Sequence, residues 1–275
     1  MLQEGFLDKI YYRFWRTDNN NAVANVFAIH GLGGHCLWFD KAGKLFNANG
    51  INFFSFDLPG FGQSKFPKGQ ISSYKIWLET TRDVLTKYLM NFFVMSPVFI
   101  LGHSLGALLA ILLSEKVKTN GWILSVPGFE GSKQCFPFKD FIFPVLMKSV
   151  FKSEENVILP FGPDVLTKNK DTQLAVKMDP MRIVNLAPDV YKHVFFLSLK
   201  AKNSAILINA PVLMLTAGND VVCSNEAMES FFEKIQFPDK SKKNYTDSYH
   251  DLFIEDTLDL IVSDISGWIK NRLNH

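Results

Sequence analysis

Cysteine is scarce in this 275-residue chain, which has only Cys36, Cys135 and Cys223. An odd number of cysteines cannot all pair, and these three are scattered, with none of the spacings of a metal-ligand motif. The sequence therefore excludes a disulfide framework as the basis of the fold. A reducing compartment, the cytoplasm, is the expected location.

An excess of charge of either sign is also missing. Lysine and arginine total 29 against 27 aspartates and glutamates, which gives a net charge of +2. Positive and negative charges are therefore nearly balanced, which gives no reason to expect a nucleic-acid partner. Apolar residues make up 47% of the chain and charged residues 20%, the composition of a globular protein. Phenylalanine is abundant, with 26 positions, and favours a wide apolar interior or pocket.

No secretory or membrane-spanning segment is expected. Residues 1–9 have neither a continuous apolar core nor an early basic cluster. The most apolar long stretch, residues 94–113, is interrupted by Pro97, His103 and two glycines. A buried strand followed by a buried helix explains this stretch better than a membrane span.

Short apolar strands alternate with helical stretches along most of the chain. Strands are predicted at residues 10–15, 24–29, 51–56, 97–101, 122–126, 212–216 and 243–246, with a turn at residues 18–21; helices are predicted at 39–47, 74–91, 107–113, 225–235 and 257–272. This alternation predicts a mostly parallel sheet flanked by helices. It breaks at residues 127–208, called here the inserted segment. We predict that residues 1–126 and 209–275 form the core and that the inserted segment is a mainly helical lid over the carboxyl edge of the sheet.

Gly102-His103-Ser104-Leu105-Gly106 stands between an apolar strand and an apolar helix. In that context Gly-x-Ser-x-Gly is typical of a nucleophile elbow, a strained turn that lifts the serine hydroxyl above the sheet edge. A Cβ atom at either glycine would crowd the neighbouring backbone. Because a chance match is the alternative, Ser104 as nucleophile requires a base and an acid elsewhere in the chain.

The base is expected late in the sequence, since elbow enzymes carry their triad in the order serine, acid, histidine. The candidates are His30, His35, His103, His193, His250 and His275. His30 and His35 precede the serine, and His103 adjoins it. His193 lies in the inserted segment, and His275 is at the chain end. His250 follows the last predicted strand and precedes the last helix, which favours it as the base.

Asp220 is the favoured acid because it follows the predicted strand at 212–216. Its ordinary role would be to form a turn or to cap the next helix. Asp247, Asp251 and Glu255 are the alternatives, but they lie close to His250 in sequence. From there they would reach the far nitrogen of its ring less easily than an acid on another loop.

His30-Gly31-Leu32-Gly33 follows a strand and opens onto a helix without the spacing of a dinucleotide fingerprint. We interpret it as an oxyanion loop, in which the backbone N–H groups of Leu32 and Leu105 would hold the oxygen of a tetrahedral intermediate. A plain glycine-rich turn is the alternative. The neighbouring stretch Asp57–Gly62 is assigned a structural role.

The chain resembles α/β-hydrolases, and among them the monoacylglycerol lipase and lysophospholipase group. The similarity is carried by His30–His35, Asp57–Ser64, Gly102–Gly106, Ala217–Asp220, Tyr249–Leu252 and, in the inserted segment, Leu166-Thr167 and Met178–Met181. It implies a triad of Ser104, Asp220 and His250, with Leu32 and Leu105 as oxyanion donors. No metal or organic cofactor is implied.

The substrate is expected to depend on the inserted segment. Its residues 136–152 are strongly apolar with interspersed lysines. They either bury themselves against the rest of the lid, or form an amphipathic helix that rests on a lipid surface and admits an acyl chain beneath it. The leading hypothesis is a serine hydrolase acting on a small-molecule acyl ester, a monoacylglycerol or lysophospholipid. A short-chain carboxylesterase or thioesterase and a non-catalytic ligand-binding fold are the alternatives.

Overall fold

Strands and helices alternate through most of the structure, a computed structural model that describes residues 1–17, 22–92 and 94–273. The strands are β1 (Leu2–Leu7), β2 (Ile10–Trp15), β3 (Ala24–Ile29), β4 (Ile51–Phe56), β5 (Val98–His103), β6 (Gly121–Ser125), β7 (Val157–Ile158), β8 (Asn185–Leu186), β9 (Val212–Ala217) and β10 (Lys240–Tyr245). The helices are α1 (Asp40–Ala48), α2 (Tyr74–Asn91), α3 (Leu105–Leu113), α4 (Phe143–Val150), α5 (Lys170–Met178), α6 (Pro188–Lys202), α7 (Asn225–Lys234) and α8 (Leu258–Lys270). The turn predicted at residues 18–21 and the candidate His275 lie outside the described residues.

Eight of these strands form one sheet in the order β1-β2-β4-β3-β5-β6-β9-β10. The pairs β1–β2 and β2–β4 are antiparallel, and every other neighbouring pair is parallel. The predicted mostly parallel sheet flanked by helices is therefore confirmed. β1 is absent from the predicted strands, and β10 begins three residues before its predicted start at Lys243.

The centre of the sheet is buried on both faces. Every residue of β3, β6 and β9 is buried, as expected for strands covered by helices above and below. Nearly all of α3 is buried as well, so the apolar stretch at residues 94–113 is a core strand followed by a core helix. Among the described residues, no helix combines the length and hydropathy needed to span a membrane.

Stacked aromatic rings fill part of the core beside α2. Phe27 lies parallel to Phe54 with 5.4 Å between ring centroids, and Tyr88 of α2 lies 4.4 Å from Phe54. The Tyr88 hydroxyl donates a hydrogen bond to Asn25 Oδ1 at 2.9 Å, which satisfies its one polar group. Much of the phenylalanine content therefore serves packing beneath the sheet, at a distance from the chemistry described below.

The inserted segment contributes α4, α5, α6 and the two-stranded antiparallel pair β7–β8. A short π-helical turn, Phe138–Ile142, leads into α4. The inserted segment is joined to the core at Ile183, whose N–H donates to the carbonyl oxygen of Gly33 at 3.0 Å. The inserted segment thus contacts the loop that follows β3, at the carboxyl edge of the sheet.

Candidate active site

Ser104 occupies a strained turn between β5 and α3. Its backbone has φ 53° and ψ −110°, a left-handed conformation that a non-glycine residue rarely adopts. The Ser104 N–H donates to the carbonyl oxygen of Ser125 at 2.9 Å, which ties the turn to β6. A Cβ atom at Gly102 would overlap the backbone of Gly106, and one at Gly106 would overlap the Ile29 carbonyl oxygen. Both glycines are required by close backbone contact.

Substitution at these glycines should destabilise the protein strongly. Gly106→Ala is expected to lower the free energy of unfolding by about 3 kcal/mol or more, because the added methyl meets backbone that cannot move aside. Gly267→Ala is the matched control, since nothing lies within 4 Å of its Cβ position in α8. Alanine there should stabilise the helix by up to ~1 kcal/mol. Equal urea midpoints for the two variants would contradict this explanation of the elbow.

Ser104, His250 and Asp220 come together although they follow three different strands, β5, β10 and β9. With the His250 ring protonated at Nδ1, that N–H donates to Asp220 Oδ2 at 2.8 Å. The Ser104 hydroxyl then donates to His250 Nε2 at 3.1 Å. The side chain of His250 is 5% exposed and that of Asp220 is fully buried, so water scarcely competes for these bonds.

The environment of Asp220 favours its ionised form. Its other oxygen, Oδ1, accepts hydrogen bonds from the Val222 and Cys223 N–H groups at 2.8 and 2.9 Å. Burial alone would raise the pKa of Asp220, but the facing His250 ring and these donors outweigh it and lower the pKa. Burial likewise lowers the pKa of His250, and the Asp220 carboxylate outweighs that effect and raises the pKa above the ordinary value.

The three alternative acids have other partners or lie away from the ring. Asp251 Oδ2 lies 3.4 Å from His103 Nε2, and its Oδ1 accepts from the Phe253 N–H. Glu255 is buried and accepts hydrogen bonds from the Tyr249 N–H and the Thr167 hydroxyl. Asp247 is exposed. Only Asp220 contacts the Nδ1 side of His250 among the described residues.

The remaining described histidines have structural contacts. Burial lowers the pKa of His30 to about 4, so the ring is neutral. Its Nδ1–H donates to the Gly31 carbonyl oxygen at 2.8 Å, and its Nε2 accepts from the Leu58 N–H at 2.9 Å. His35 contacts Asp179 of the inserted segment at 2.7 Å. His193 lies on α6, and its ring faces Tyr74 with 6.3 Å between ring centroids.

His30 therefore joins the predicted oxyanion loop to the stretch that begins at Asp57. The carboxylate of Asp57 accepts hydrogen bonds from the Cys36 and Gln63 N–H groups at 2.8 and 2.6 Å. It fixes both loops from within, in agreement with the structural role assigned to this stretch. Leu32 and Leu105 line the same cavity as Ser104. Within residues 22–92 and 94–273, no acceptor is found for either backbone N–H.

A metal ion does not suit this cluster. Asp220, Cys223 and His250 place ligand atoms within 4.8 Å of one another. However, Asp220 and His250 Nδ1 already bind each other, and burial raises the pKa of the Cys223 thiol well above its usual range. A protonated thiol is a poor ligand, because metals bind the thiolate.

Two cavities meet at Ser104. The larger, of about 130 Å³, is mostly apolar. Core residues at Ser104 and aromatic and aliphatic residues of the inserted segment form its wall, among them Phe136, Phe141, Val145, Tyr191 and Val194. The smaller, of about 20 Å³, is lined by Ser104 and His250 together with Trp38, Phe161, Arg182 and Asp251.

Two residues of the site escaped the sequence patterns. A Cβ atom at Gly128 would lie 3.7 Å from Ser104 Oγ and 3.8 Å from the Leu105 nitrogen, where a reacting carbonyl would sit. Arg182 is brought to the small cavity by the fold of the inserted segment. Neither residue belongs to a motif. Each is brought to the site by tertiary contacts between distant parts of the chain, which the sequence does not reveal.

A buried Ser–His–Asp arrangement on an elbow at the carboxyl edge of a parallel sheet is the arrangement of an α/β-hydrolase. A family model described as serine aminopeptidase, S33, matches residues 20–257, and the chain belongs to this family. It is a serine hydrolase, and its relatives place it among the lipases and esterases.

Similar proteins include several lipases. Human monoglyceride lipase is 25% identical over 277 residues, covering 96% of this chain and 87% of the human protein. Phospholipase YtpA of Bacillus subtilis is 24% identical over 256 residues, covering 88% of this chain and 92% of that protein. A soluble variant of the monoglyceride lipase from Saccharomyces cerevisiae, solved with a substrate analog, has a TM-score of 0.88 at 21% identity. That comparison covers 99% of this chain and 95% of the yeast chain.

Proposed function

We propose that this protein hydrolyses the carboxylic ester of a single-chain lipid, a monoacylglycerol or a lysophospholipid, through an acyl-enzyme. The observation that carries the proposal is the apolar cavity that opens directly at Ser104. Its wall of Phe, Leu, Val and Tyr side chains suits an acyl chain, since burying each methylene contributes about 0.8 kcal/mol. The relatives named lipase and phospholipase support the same substrate class.

The reaction follows from the hydrogen bonds of the site. His250 Nε2 takes the hydroxyl proton as Ser104 Oγ bonds to the ester carbonyl carbon. The bond to the leaving alcohol then breaks, and His250 returns the proton to the alcohol oxygen. Water attacks the acyl-enzyme in the same way: His250 takes its proton, the fatty acid leaves and the proton returns to Ser104. Asp220 holds the ring in the required tautomer and stabilises its charged form.

Leu32 and Leu105 are the proposed oxyanion donors. Both line the cavity at Ser104, and Leu105 is the first residue of α3, where backbone N–H groups have no helical acceptor. Each such donor contributes about 3 kcal/mol to the transition state in related chemistry. The positive end of the α3 dipole adds to this stabilisation.

The inserted segment is the proposed lid. Phe138, Phe143, Val150 and Phe151 are 64%, 53%, 66% and 77% exposed around α4, beside the part of the segment that lines the cavity. Lys148 is paired with Glu155 at 2.7 Å, and the lysines at positions 139 and 152 suit this surface to peripheral contact with anionic lipid. Phe143→Asp should lower hydrolysis of substrate presented in anionic vesicles and leave a soluble butyryl ester unaffected. Equal loss on both substrates would count against the lipid contact.

A peptide substrate fits the site less well, although the family is described as serine aminopeptidase. An aminopeptidase must bind a free ammonium group beside the scissile bond, which calls for an unpaired carboxylate. Asp251 is the only acid among the described residues that line the two cavities, and it is paired with His103.

Acyl-chain length tests the proposal. For p-nitrophenyl esters, kcat/KM should rise about 100-fold or more from acetyl to octanoyl, because successive methylenes enter the large cavity. Val194→Trp fills that cavity from α6 and should shift the optimum to shorter chains while acetyl ester hydrolysis is retained. A maximum at acetyl or butyryl in the unmodified enzyme would favour a short-chain carboxylesterase instead.

A further inference from the structure

The smaller cavity lies where the leaving group must go. The proton that His250 takes from Ser104 is returned to the leaving oxygen, so the leaving group has to lie on the His250 side of the serine. Both Ser104 and His250 line the smaller cavity, whereas His250 does not line the large one. The acyl chain is thereby assigned to the larger cavity, and the leaving oxygen to the side of Ser104 on which the smaller cavity lies.

A cationic side chain lines this leaving-group cavity. Arg182 is partly buried there, and its Nη2 donates one hydrogen bond, to the Phe161 carbonyl oxygen at 3.2 Å. No ion pair of Arg182 occurs within residues 1–17, 22–92 and 94–273. A guanidinium has five N–H donors, so most of its hydrogen-bonding capacity is unused in this structure.

Arginine remains charged in this position. Burial lowers the pKa of Arg182 from its usual range, and the charges of Asp179 and Asp164 raise it. Guanidinium groups are strongly basic, so the side chain keeps its proton at neutral pH. Asp179 and Asp164 act on this charge without a direct contact, so the guanidinium N–H groups remain available to a bound anion.

No acid near Arg182 makes a direct ion pair with its guanidinium among the described residues. Asp179 accepts hydrogen bonds from His35, the Trp38 indole and the Met181 N–H, which occupy both of its oxygens. Asp251 is paired with His103, and Asp164 is exposed to solvent. The donors of Arg182 are therefore left for a group that enters the cavity.

We propose that Arg182 binds a phosphate carried by the leaving group, so that the preferred substrates are lysophospholipids with an accessible phosphate rather than neutral monoacylglycerols. The observation behind this is that Arg182 lines the same small cavity as Ser104 and His250, and a guanidinium can pair with two phosphate oxygens at once. This rests on the proposed ester hydrolysis at Ser104. The acyl C–O ester bond breaks, the water oxygen bonds to the acyl carbon to give the fatty acid, and a proton from water ends on the leaving oxygen to give the glycerophosphate.

A matched pair of substrates tests the proposal. In the same neutral detergent micelles, 1-oleoylglycerol 3-phosphate should have a kcat/KM about 10-fold or more above that of 1-oleoylglycerol. Arg182→Met should lower the value for the phosphate substrate by about 30-fold, the effect of losing charge-assisted hydrogen bonds, and change the neutral substrate less than about 3-fold. Arg182→Lys should restore part of the loss. Lys177→Met removes a charge from the exposed face of α5 and should change neither.

Small probes separate the headgroup from a free anion. Glycerol 3-phosphate should inhibit p-nitrophenyl butyrate hydrolysis by the unmodified enzyme and not by Arg182→Met, and glycerol should inhibit neither. The proposal would be overturned if inorganic phosphate inhibited as strongly as glycerol 3-phosphate and the enzyme hydrolysed the two lipids equally well. That result would indicate an anion site unrelated to the leaving group. Equal effects of Arg182→Met on both lipids would overturn it as well. Failure of p-nitrophenyl ester hydrolysis in the unmodified enzyme would instead count against the proposed function.

Discussion

Ser104→Ala should lower kcat for p-nitrophenyl octanoate by at least about 10⁴-fold, and it should leave the fold intact. The reason is that Ser104 Oγ is the atom that would bond to the ester carbon, and it lies 3.1 Å from the only base positioned to activate it among the described residues. Backbone hydrogen bonds hold the turn, from the Ser104 N–H to Ser125 and from the Ala107 N–H to Ser104, and the substitution keeps both. Stopped-time assays at saturating substrate measure the loss directly.

A control serine separates the chemistry from the effect of substitution. Ser241 lies on β10, with its side chain away from the cavities, and Ser241→Ala should retain full activity. Far-ultraviolet circular dichroism and the thermal midpoint should agree between Ser104→Ala and the unmodified protein. If Ser104→Ala hydrolysed the ester at an undiminished rate, another nucleophile would have to be sought.

Asp220→Asn should lower kcat by about 10⁴-fold with little change in KM. The Val222 and Cys223 N–H groups donate to Asp220 Oδ1, so an asparagine would keep its carbonyl oxygen there. Its NH₂ group would then face His250 Nδ1 and force the proton onto Nε2. In that tautomer the ring meets Ser104 with an N–H and cannot accept the hydroxyl proton.

The pH dependence gives a second readout of the same substitution. His250 must be neutral to act as a base, so activity is lost as pH falls through its pKa. The Asp220 charge raises that pKa above about 6.5, which places the acid limb of kcat/KM above the value of an ordinary histidine. Asp220→Asn removes the charge and should move the limb to lower pH.

Asp247→Asn is the matched control for the acid. Asp247 precedes His250 by three residues, is exposed and contacts neither the ring nor the serine among the described residues. The rate and the acid limb should both be unaltered in this variant. A large loss of rate in Asp247→Asn together with a normal rate in Asp220→Asn would show that the acid is Asp247 and that Asp220 is not.

The core and the elbow were predictable because local sequence and tertiary structure agree there. β3, β4 and β9 are mostly apolar and, except for the half-buried Asn52, entirely buried, and each ends at a loop with a distinctive composition. The glycines of the elbow carry their own signal, since backbone contact at Gly102 and Gly106 leaves no room for a side chain. The order of Ser104, Asp220 and His250 followed from where the strands end.

The edges of the sheet were harder to predict. β1 alternates exposed and half-buried residues and pairs on one side only, so it lacks an apolar run. β10 is a lysine-rich edge strand, in which Tyr245 is the only buried residue. Both segments are strands because of the neighbouring strand with which they pair. The hydrophobicity of the segment alone gives little indication of that pairing.

The inserted segment was the least predictable part, and it determines the proposed substrate. Its helices are amphipathic but have no regular connection to strands, so their packing over the sheet leaves no pattern in the sequence. Gly128 lies beside Ser104, and Arg182 lines the small cavity at Ser104, only because two distant parts of this segment converge near the elbow. A charged residue near a Met-Asp-Pro-Met stretch gave no indication of a cavity.

Covalent labelling tests most directly whether this elbow carries a working nucleophile. An alkyl fluorophosphonate should add once to the unmodified protein, and peptide mass spectrometry should place the adduct on Ser104. Labelling should be lost in Ser104→Ala and strongly slowed in Asp220→Asn, because the same hydrogen bonds activate the hydroxyl. An unlabelled Ser104 in the folded protein, or an adduct on another residue with hydrolysis retained, would contradict the proposed mechanism.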